Sequence, residues 1–373
     1  MKIGILTYHN TLNFGAALQC YALYRFCLNL GFEVEIIDYR NWRIENNKKP
    51  IAVIKKRGKD KINIRNIIKS VLIYPVFKLK KNAFYKFNRN FMKFSKKNYS
   101  TRKELIENPP IYDKYIIGSD QVWNYNINGD DSTFLMDFVS DKNKIFTFAS
   151  SFGLKKIGKE KESTYRNLLS LIPVISVREV QAANIIYELT GKKVRVICDP
   201  VFLISKEEWL ELIKFKNTNN NKNICTYFLN YNTRKQFEKE LNKDYNFNNC
   251  KHVKLAGGIK IKDLMSPKVH VKFSNGPIEF LKHINEAKYV FTDSFHATAF
   301  SILLNKKFLV FLSGDKGKDS RIINILEQFK MKDRIFTDSL ENVYNDINYD
   351  ENNKKCNALK EEATEYLKNN LVY

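Results

Sequence analysis

A chain of 373 residues holds enough material for two domains of ordinary size. Hydrophobic residues make up 44%, which excludes general disorder, and no apolar run approaches the roughly 18 residues of a spanning helix. The formal net charge of +23 suits an anionic partner, either nucleic acid or an anionic membrane surface.

In chain order, Lys2 to Thr7 alternates as a strand, a polar turn follows, and Gly15 to Leu30 has helical periodicity closed by Gly31. Glu33 to Asp38 is the next strand, giving a βαβ opening. The loop at its first turn, Asn10 to Gly15, has a single glycine and does not make a dinucleotide fingerprint. Residues 51–100 interrupt the pattern with fifteen Lys or Arg against one acid, Asp60. Ile64, Ile67, Ile68, Val71 and Leu72 share one helical face that is expected to end before Pro75. Phe84, Phe87, Phe91 and Phe94 share another, so two amphipathic helices are expected here.

Tyr112 to Gly118 is a strand ending in the polar stretch Ser119-Asp120-Gln121-Val122-Trp123. Ile145 to Ala149 leads into Ser150-Ser151, Val174 to Val177 ends at Arg178-Glu179, and Val194 to Cys198 ends at Asp199-Pro200. Strands that each deliver polar residues at their carboxyl ends are the signature of a doubly wound α/β sheet. A polar stretch, 217–223, suggests a boundary, after which a second α/β run begins at Ile224. Its strands are expected at Ile224 to Leu229, Val253 to Ala256, Tyr289 to Phe291 and Phe308 to Leu312. The last of these is followed by a polar loop, 313–321. A final helix is expected over Asn357 to Asn369, after a polar linker at 345–355. The domains are therefore expected at 1–205, carrying a basic helical insertion at 51–100, and at 206–350. Residues 351–373 form a terminal helix returning toward the first domain.

The richest stretch chemically is Ala287 to Leu304. An apolar strand hands over to a helix through Thr292-Asp293-Ser294-Phe295-His296. A helix starting at the carboxyl end of a parallel strand presents free N–H groups and a positive dipole end. Ser294 and His296 place a donor/acceptor and a proton carrier there, although Ser294 as a cap and His296 as a packed ring would serve equally. Arg178 at its strand end offers a planar fork for a carboxylate or phosphate, or pairs with Glu179. Lys316, Lys318 and Arg321 crowd the loop after Phe308 to Leu312 and make either an anion pocket or a solvated surface. The six cysteines are scattered without a CxxC pair, as expected of buried thiols in a reducing compartment. With too short an apolar run at the N-terminus for a signal peptide, a cytoplasmic location is expected. No Asp/His/Cys cluster has ligand spacing, so no metal or other cofactor is expected.

Taken together in order, Asn13-Phe-Gly-Ala-Ala-Leu-Gln-Cys-Tyr-Ala-Leu23, Ile117-Gly-Ser-Asp-Gln-Val-Trp-Asn124, Phe148-Ala-Ser-Ser-Phe-Gly153, Ser176-Val-Arg-Glu179, Asp199-Pro200 and Thr292-Asp-Ser-Phe-His-Ala-Thr-Ala-Phe300 resemble the polysaccharide pyruvyl transferases. The resemblance runs from about residue 2 to about residue 330. It implies an α/β fold of two Rossmann-like domains facing a cleft, of the glycosyltransferase-B type. It implies an enzyme moving the enolpyruvyl group of phosphoenolpyruvate onto sugar hydroxyls of a cell-envelope or capsular glycan, with release of phosphate. Arg178 and His296 would then be catalytic. Asn13, Gly15, Ser119, Asp120, Gln121, Trp123, Ser294, Lys316 and Arg321 would bind substrate. Ala297 departs from the family's more usual glycine and would narrow the floor of the pocket. The acceptor is expected to be lipid-linked, with the 51–100 stretch meeting an anionic membrane surface and no nucleic acid involved. The alternatives are a glycosyltransferase using a nucleotide sugar on the same fold, and a non-catalytic binder of nucleic acid or membrane.

Overall fold

A computed structural model describes residues 1–47, 64–129, 131–214, 223–243, 247, 250–255, 269–272 and 275–371. The chain divides into two compact units, one of Met1–Leu203 with the chain from Lys360 onward, the other of Ile204–Leu359.

The first unit is built on a parallel sheet. β1 (Lys2–Leu6) pairs with β2 (Glu33–Ile36) on one side and β3 (Lys114–Ile117) on the other, and β4 (Ile145–Thr147) lies beyond β3. Single bridges at Phe146–Val174 and Ser150–Val177 continue the order into the pair β5 (Ser176–Val177) and β6 (Arg195–Val196). β1 is buried on both faces, as a central parallel strand must be. Gly4 is required there, because a Cβ would lie 2.3 Å from the Tyr112 ring. Helix α1 (Phe14–Asn29) is buried almost all round and is capped by Asn13, whose Oδ1 accepts from the Ala16 N–H at 3.2 Å. A short helix α2 (Trp42–Asn47) follows β2.

Ile64 to Phe91 forms one helix, α3, with Pro75 inside it. This corrects the expected stop before Pro75. A proline within a helix removes one intrahelical bond, and the helix continues because its later turns are held by packing. Phe84 is buried and stacks on Phe14 with centroids 5.4 Å apart, while Phe87 and Phe91 meet the Tyr21 ring edge-on at 5.7 and 5.9 Å. Lys80 lies over the Phe14 and Phe84 rings, and burial brings its ammonium down to about 8. Phe94 lies beyond the helix in extended chain that bridges Ile36, so it does not share the expected helical face. The expected apolar side chains at 64, 67, 68, 71 and 72 lie outside the described residues, as do positions 51–60.

Helices α4 (Lys159–Leu171) and α5 (Val180–Thr190) complete this unit with the end of the terminal helix. There the Tyr366 hydroxyl donates to the Thr147 carbonyl at 2.8 Å.

The second unit is another parallel sheet, in the order β11-β10-β7-β8-β9. Its strands are β7 (Asn223–Tyr227), β8 (Lys251–Lys254), β9 (Val269–Val271), β10 (Ala287–Thr292) and β11 (Lys307–Val310). Helices α6 (Tyr231–Leu241), α7 (Pro277–Glu286), α8 (Phe295–Leu303) and α9 (Lys316–Gln328) pack on it. The core is aromatic: Phe237 lies 4.8 Å from Phe291, and Phe311 stacks on Phe336 at 4.4 Å. Residues 316–321, expected as loop, open α9. The terminal helix α10 (Tyr349–Leu371) begins well before the expected Asn357. Its early turn is secured by Asn352, whose Nδ2 donates to the Ile302 carbonyl at 2.8 Å.

Candidate active site

The sequence-predicted candidates lie in the segments that follow the carboxyl ends of strands, from Ser119 and Arg178 directly after theirs to Arg321 in the second turn of a helix, on the side where open α/β sheets bind their ligands. The two units contribute different chemistry.

In the first unit the loops after β3, β4, β5 and β6 converge on a buried ionic cluster. Arg178, only 4% exposed, sits at its centre. Its Nη1 donates to Asp199 Oδ2 at 2.6 Å, Nη2 is 3.6 Å from Asp120 Oδ1, and Nε is 3.8 Å from Glu179 Oε2. Burial alone would pull the guanidinium down, but Asp199, Asp120 and Glu179 outweigh it and hold the pKa above its ordinary value. Ser119 Oγ donates to Asp199 at 3.3 Å and Ser151 Oγ to Glu179 at 2.6 Å.

Two residues with left-handed backbone also lie here. Asp120 and Ala149 have φ of 75° and 51°, and Asp120 bridges to Ser150. Gly153, also at positive φ, leaves room for Gln121: a Cβ there would lie 2.1 Å from its Oε1.

This geometry corrects several expectations. Three carboxylates around one guanidinium repel an incoming anion, so Arg178 anchors an acidic cluster rather than presenting an open fork. Trp123 is 1% exposed, donates from Nε1 to the Phe134 carbonyl at 3.2 Å and packs on Phe152, so it is a core residue and not a wall of the site. Gly15 is buried in the first turn of α1, and the side chain of Asn13 is engaged in capping that turn. Ser119 is fully buried. Of the first-unit candidates, Asn13 and Gln121 reach toward the surface.

Sequence reasoning missed a second polar group in this unit. His9, after β1, places Nε2 3.0 Å from Asp38 Oδ1, and Arg40 clamps the same carboxylate through Nε and Nη2 at 2.9 and 2.7 Å. Burial pushes the Asp38 carboxyl up, but the His9 and Arg40 hydrogen bonds outweigh it and hold the group well below the usual carboxylate range. The available signal was positional: His9 and Asp38 end adjacent parallel strands.

In the second unit, β10 and β11 are neighbours, so the helices that follow them start at one edge of the sheet. Ser294 is the N-cap residue of α8. Its hydroxyl makes no capping bond, while its carbonyl accepts from Thr298 N–H and Thr298 Oγ1, both at 3.0 Å. His296 follows in the first turn, 6% exposed, with its ring edge-on to Phe295 at 5.1 Å. Ala297, fully buried, is accommodated in that helical turn.

Asp293 is structural: it accepts from Leu229 N–H at 2.7 Å, Asn230 N–H at 2.8 Å and Thr233 Oγ1 at 2.6 Å, which fixes the β7–α6 turn beside α8. Burial raises its carboxyl above the ordinary value despite these bonds. Arg321, 9% exposed, lies in the second turn of α9. Asp319 holds that helix to its loop by accepting from Ser313 and Gly314 N–H at 3.0 and 2.8 Å. Lys316 opens α9, and its side chain lies outside the described residues.

A further basic pair had no sequence signal. Buried Lys254, at the carboxyl end of β8, and Arg234, on α6, flank Glu238, with Lys254 Nζ 3.1 Å and Arg234 Nε 3.8 Å from Oε1. Ser294 and His296 at the start of α8 and Arg321 on α9 thus follow the adjacent strands β10 and β11. Among the described residues, no group of three or more His, Cys, Asp or Glu is arranged to hold a metal ion.

Comparison with known proteins bears on the fold and on the family. Among solved structures, the fold resembles UDP-GlcNAc 2-epimerase from Neisseria meningitidis at 13% identity, covering 100% of both chains with a TM-score of 0.50. It also resembles UDP-GlcNAc 2-epimerase from Methanocaldococcus jannaschii at 11% identity, covering 97% of this chain and 92% of that one, again with a TM-score of 0.50. These likenesses establish an α/β fold of the glycosyltransferase-B type. No curated protein matches the sequence. The family model for polysaccharide pyruvyl transferase matches residues 13–315, spanning the motifs from the Asn13 cap through α8. The chain therefore belongs to the polysaccharide pyruvyl transferase family.

Proposed function

We propose that the protein transfers the enolpyruvyl group of phosphoenolpyruvate to two hydroxyls of a sugar in a cell-envelope or capsular glycan precursor. The observation that carries this reading is the joint placement of Ser294 and His296 at the start of α8 and Arg321 on the neighbouring α9, in a member of this family. The basic side chains and the helix N-termini bind the carboxylate and phosphate. His296, protonated, gives its proton to the methylene carbon, which becomes a methyl group and leaves oxocarbenium character at the central carbon. One sugar hydroxyl bonds to that carbon and loses its proton, and the C–O bond to phosphate breaks. A second hydroxyl then closes the ketal and releases the remaining proton. Positive groups beside the departing phosphate stabilise the charge that leaves with it. No step draws on a metal or another cofactor.

Phosphate release from phosphoenolpyruvate, measured with and without a sugar-lipid extract, is the direct test. Acceptor-dependent phosphate is expected. Release of nucleotide from a nucleotide sugar, with no phosphate from phosphoenolpyruvate, would replace this reading with glycosyl transfer.

The acceptor we propose is lipid-linked and met at the inner face of the cytoplasmic membrane. Among the described residues no helix is long and apolar enough to cross a membrane. Peripheral attachment is instead supported by α3, whose buried Phe84 and Phe87 leave Tyr74, Lys78, Leu79, Lys81, Tyr85, Lys86 and Arg89 exposed. No acidic residue occurs along that helix. Each exposed Lys or Arg near an anionic leaflet contributes about 1 kcal/mol, and exposed tyrosines suit the interface. Co-sedimentation with anionic vesicles at low salt is expected, weakening at high salt as screening increases and upon replacement of Lys78, Lys81, Lys86 and Arg89 by glutamine. Equal binding to neutral vesicles, or none to either kind, would remove the membrane from the account.

A further inference from the structure

Thr292, Asp293 and Ser294 carry the chain from β10 into α8, and the first two reach across to the connection between β7 and α6. Thr292 Oγ1 donates to the Tyr227 carbonyl at 2.6 Å and accepts the Ser294 N–H at 3.0 Å. Asp293 commits both carboxylate oxygens: Oδ1 accepts from Leu229 N–H, and Oδ2 from Asn230 N–H and Thr233 Oγ1. None of these three donors belongs to α8.

The turn that Asp293 grips is itself anchored. Asn230 caps α6 through Oδ1, which accepts the Asn232 N–H at 2.8 Å. Farther along α6, Phe237 packs on Phe291 of β10, and Glu238 meets Lys254 of β8 at 3.1 Å. Asp293 therefore ties the start of α8 to a helix held on the sheet at two further points.

The chemistry asks for a carboxylate. An asparagine offers one acceptor oxygen and would turn an NH2 group toward N–H and O–H donors. Only the ionised acid can take all three bonds, and charge-assisted bonds hold their geometry more firmly than neutral ones. Its negative charge meets N–H groups at the start of α6. The start of α8 is fastened differently: the Ser294 hydroxyl makes no capping bond, and the Asp293 carboxylate is turned to the neighbouring turn. The helix that carries His296 is thus fixed in place without the Asp293 carboxylate capping it.

His296 stands three residues beyond Asp293, in the first turn of α8. A ring on a first turn moves with the start of its helix, and a misplacement of about 1 Å at a reacting group can cost roughly 10²-fold in rate. We infer that Asp293 is a positioning residue for the transfer step: its carboxylate fixes the start of α8 on the β7–α6 turn and so sets the place of the His296 ring. This rests on the reading of His296 as the proton donor.

The test joins spectroscopy to kinetics. NMR resonances of the His296 ring, identified by their loss in His296→Gln, are followed in the intact protein and in two variants. Asp293→Asn removes one acceptor oxygen and the charge. Thr233→Val removes one donor and leaves every charge in place, so it controls for a purely electrostatic change. Both are expected to move the His296 resonances with circular dichroism unchanged. Asp293→Asn should lower kcat for acceptor-dependent phosphate release roughly 10–100-fold, while KM for phosphoenolpyruvate changes less than about threefold. Thr233→Val should lower kcat less, in the same direction. His296 resonances that stay in place in both variants would overturn the inference. So would parental kcat in the Asp293→Asn protein, or a fall in kcat that only follows the fraction left folded. If the intact protein releases no phosphate, the transfer reading fails, and the resonances alone decide whether Asp293 holds the His296 ring.

Discussion

Replacing Arg178 by alanine is expected to lower the melting temperature sharply. The guanidinium is buried among Asp199, Asp120 and Glu179, at 2.6, 3.6 and 3.8 Å. Removing it leaves three carboxylates desolvated without their cation. Breaking a buried ion pair by deleting one partner costs roughly 3–5 kcal/mol. For a unit of this size that is a fall of roughly 6–20 °C in Tm. Arg178→Lys should recover part of the loss, because an ammonium supplies the charge but cannot reach three carboxylates with a planar fork. Adding Asp199→Asn to Arg178→Ala should also recover part, by removing the carboxylate left closest to the lost cation. Thermal unfolding followed by circular dichroism measures all three. An Arg178→Ala protein with unchanged Tm but lost turnover would return the residue to the role of an open anion fork.

That contrast marks where the sequence was legible. The strand–turn–helix around Ser294 and His296 could be read because an apolar β-branched run, capping residues and helical periodicity follow one another without interruption. β10 and α8 lie over that stretch, differing only at their ends. The parallel order could be read from the recurrence of polar residues after apolar strands. What could not be read was direction and distant partnership. Arg178 finds Asp199 across 21 positions and Asp120 farther away, and no local pattern encodes either pairing. Trp123 sits among polar neighbours in its motif, yet the turn points its ring into the core.

Pro75 carried a true local preference that packing of Phe84 and Phe87 further along the helix overrode. β9 is three residues long, too short for periodicity to register. The start of α10 lies in a polar stretch where the decisive contact is the Asn352 bond to the Ile302 carbonyl, again a tertiary one.

His296→Ala should abolish most acceptor-dependent phosphate release, by roughly 10²–10⁴, the usual contribution of a positioned general acid. The residue lies in the first turn of α8, 6% exposed, and Arg321 lies on α9, the helix after the adjacent strand. Its imidazole is placed where free N–H groups of the helix favour an anion. Donor binding should be affected less than the chemical step, because Arg321 and the helix N-terminus remain. The expected signature is a fall in kcat with KM for phosphoenolpyruvate changed by less. His296→Gln keeps volume and hydrogen bonding but carries no transferable proton, so it should be as inactive as alanine while unfolding at nearly the parental temperature. That pairing separates loss of the proton carrier from loss of packing. Running the reaction in deuterium oxide adds a chemical readout: the ketal methyl group should gain one deuteron, since the third hydrogen comes from an exchangeable acid rather than from the donor. Near-parental kcat in both variants would make His296 a packed core residue, and an unlabelled methyl group would refute protonation at the methylene carbon.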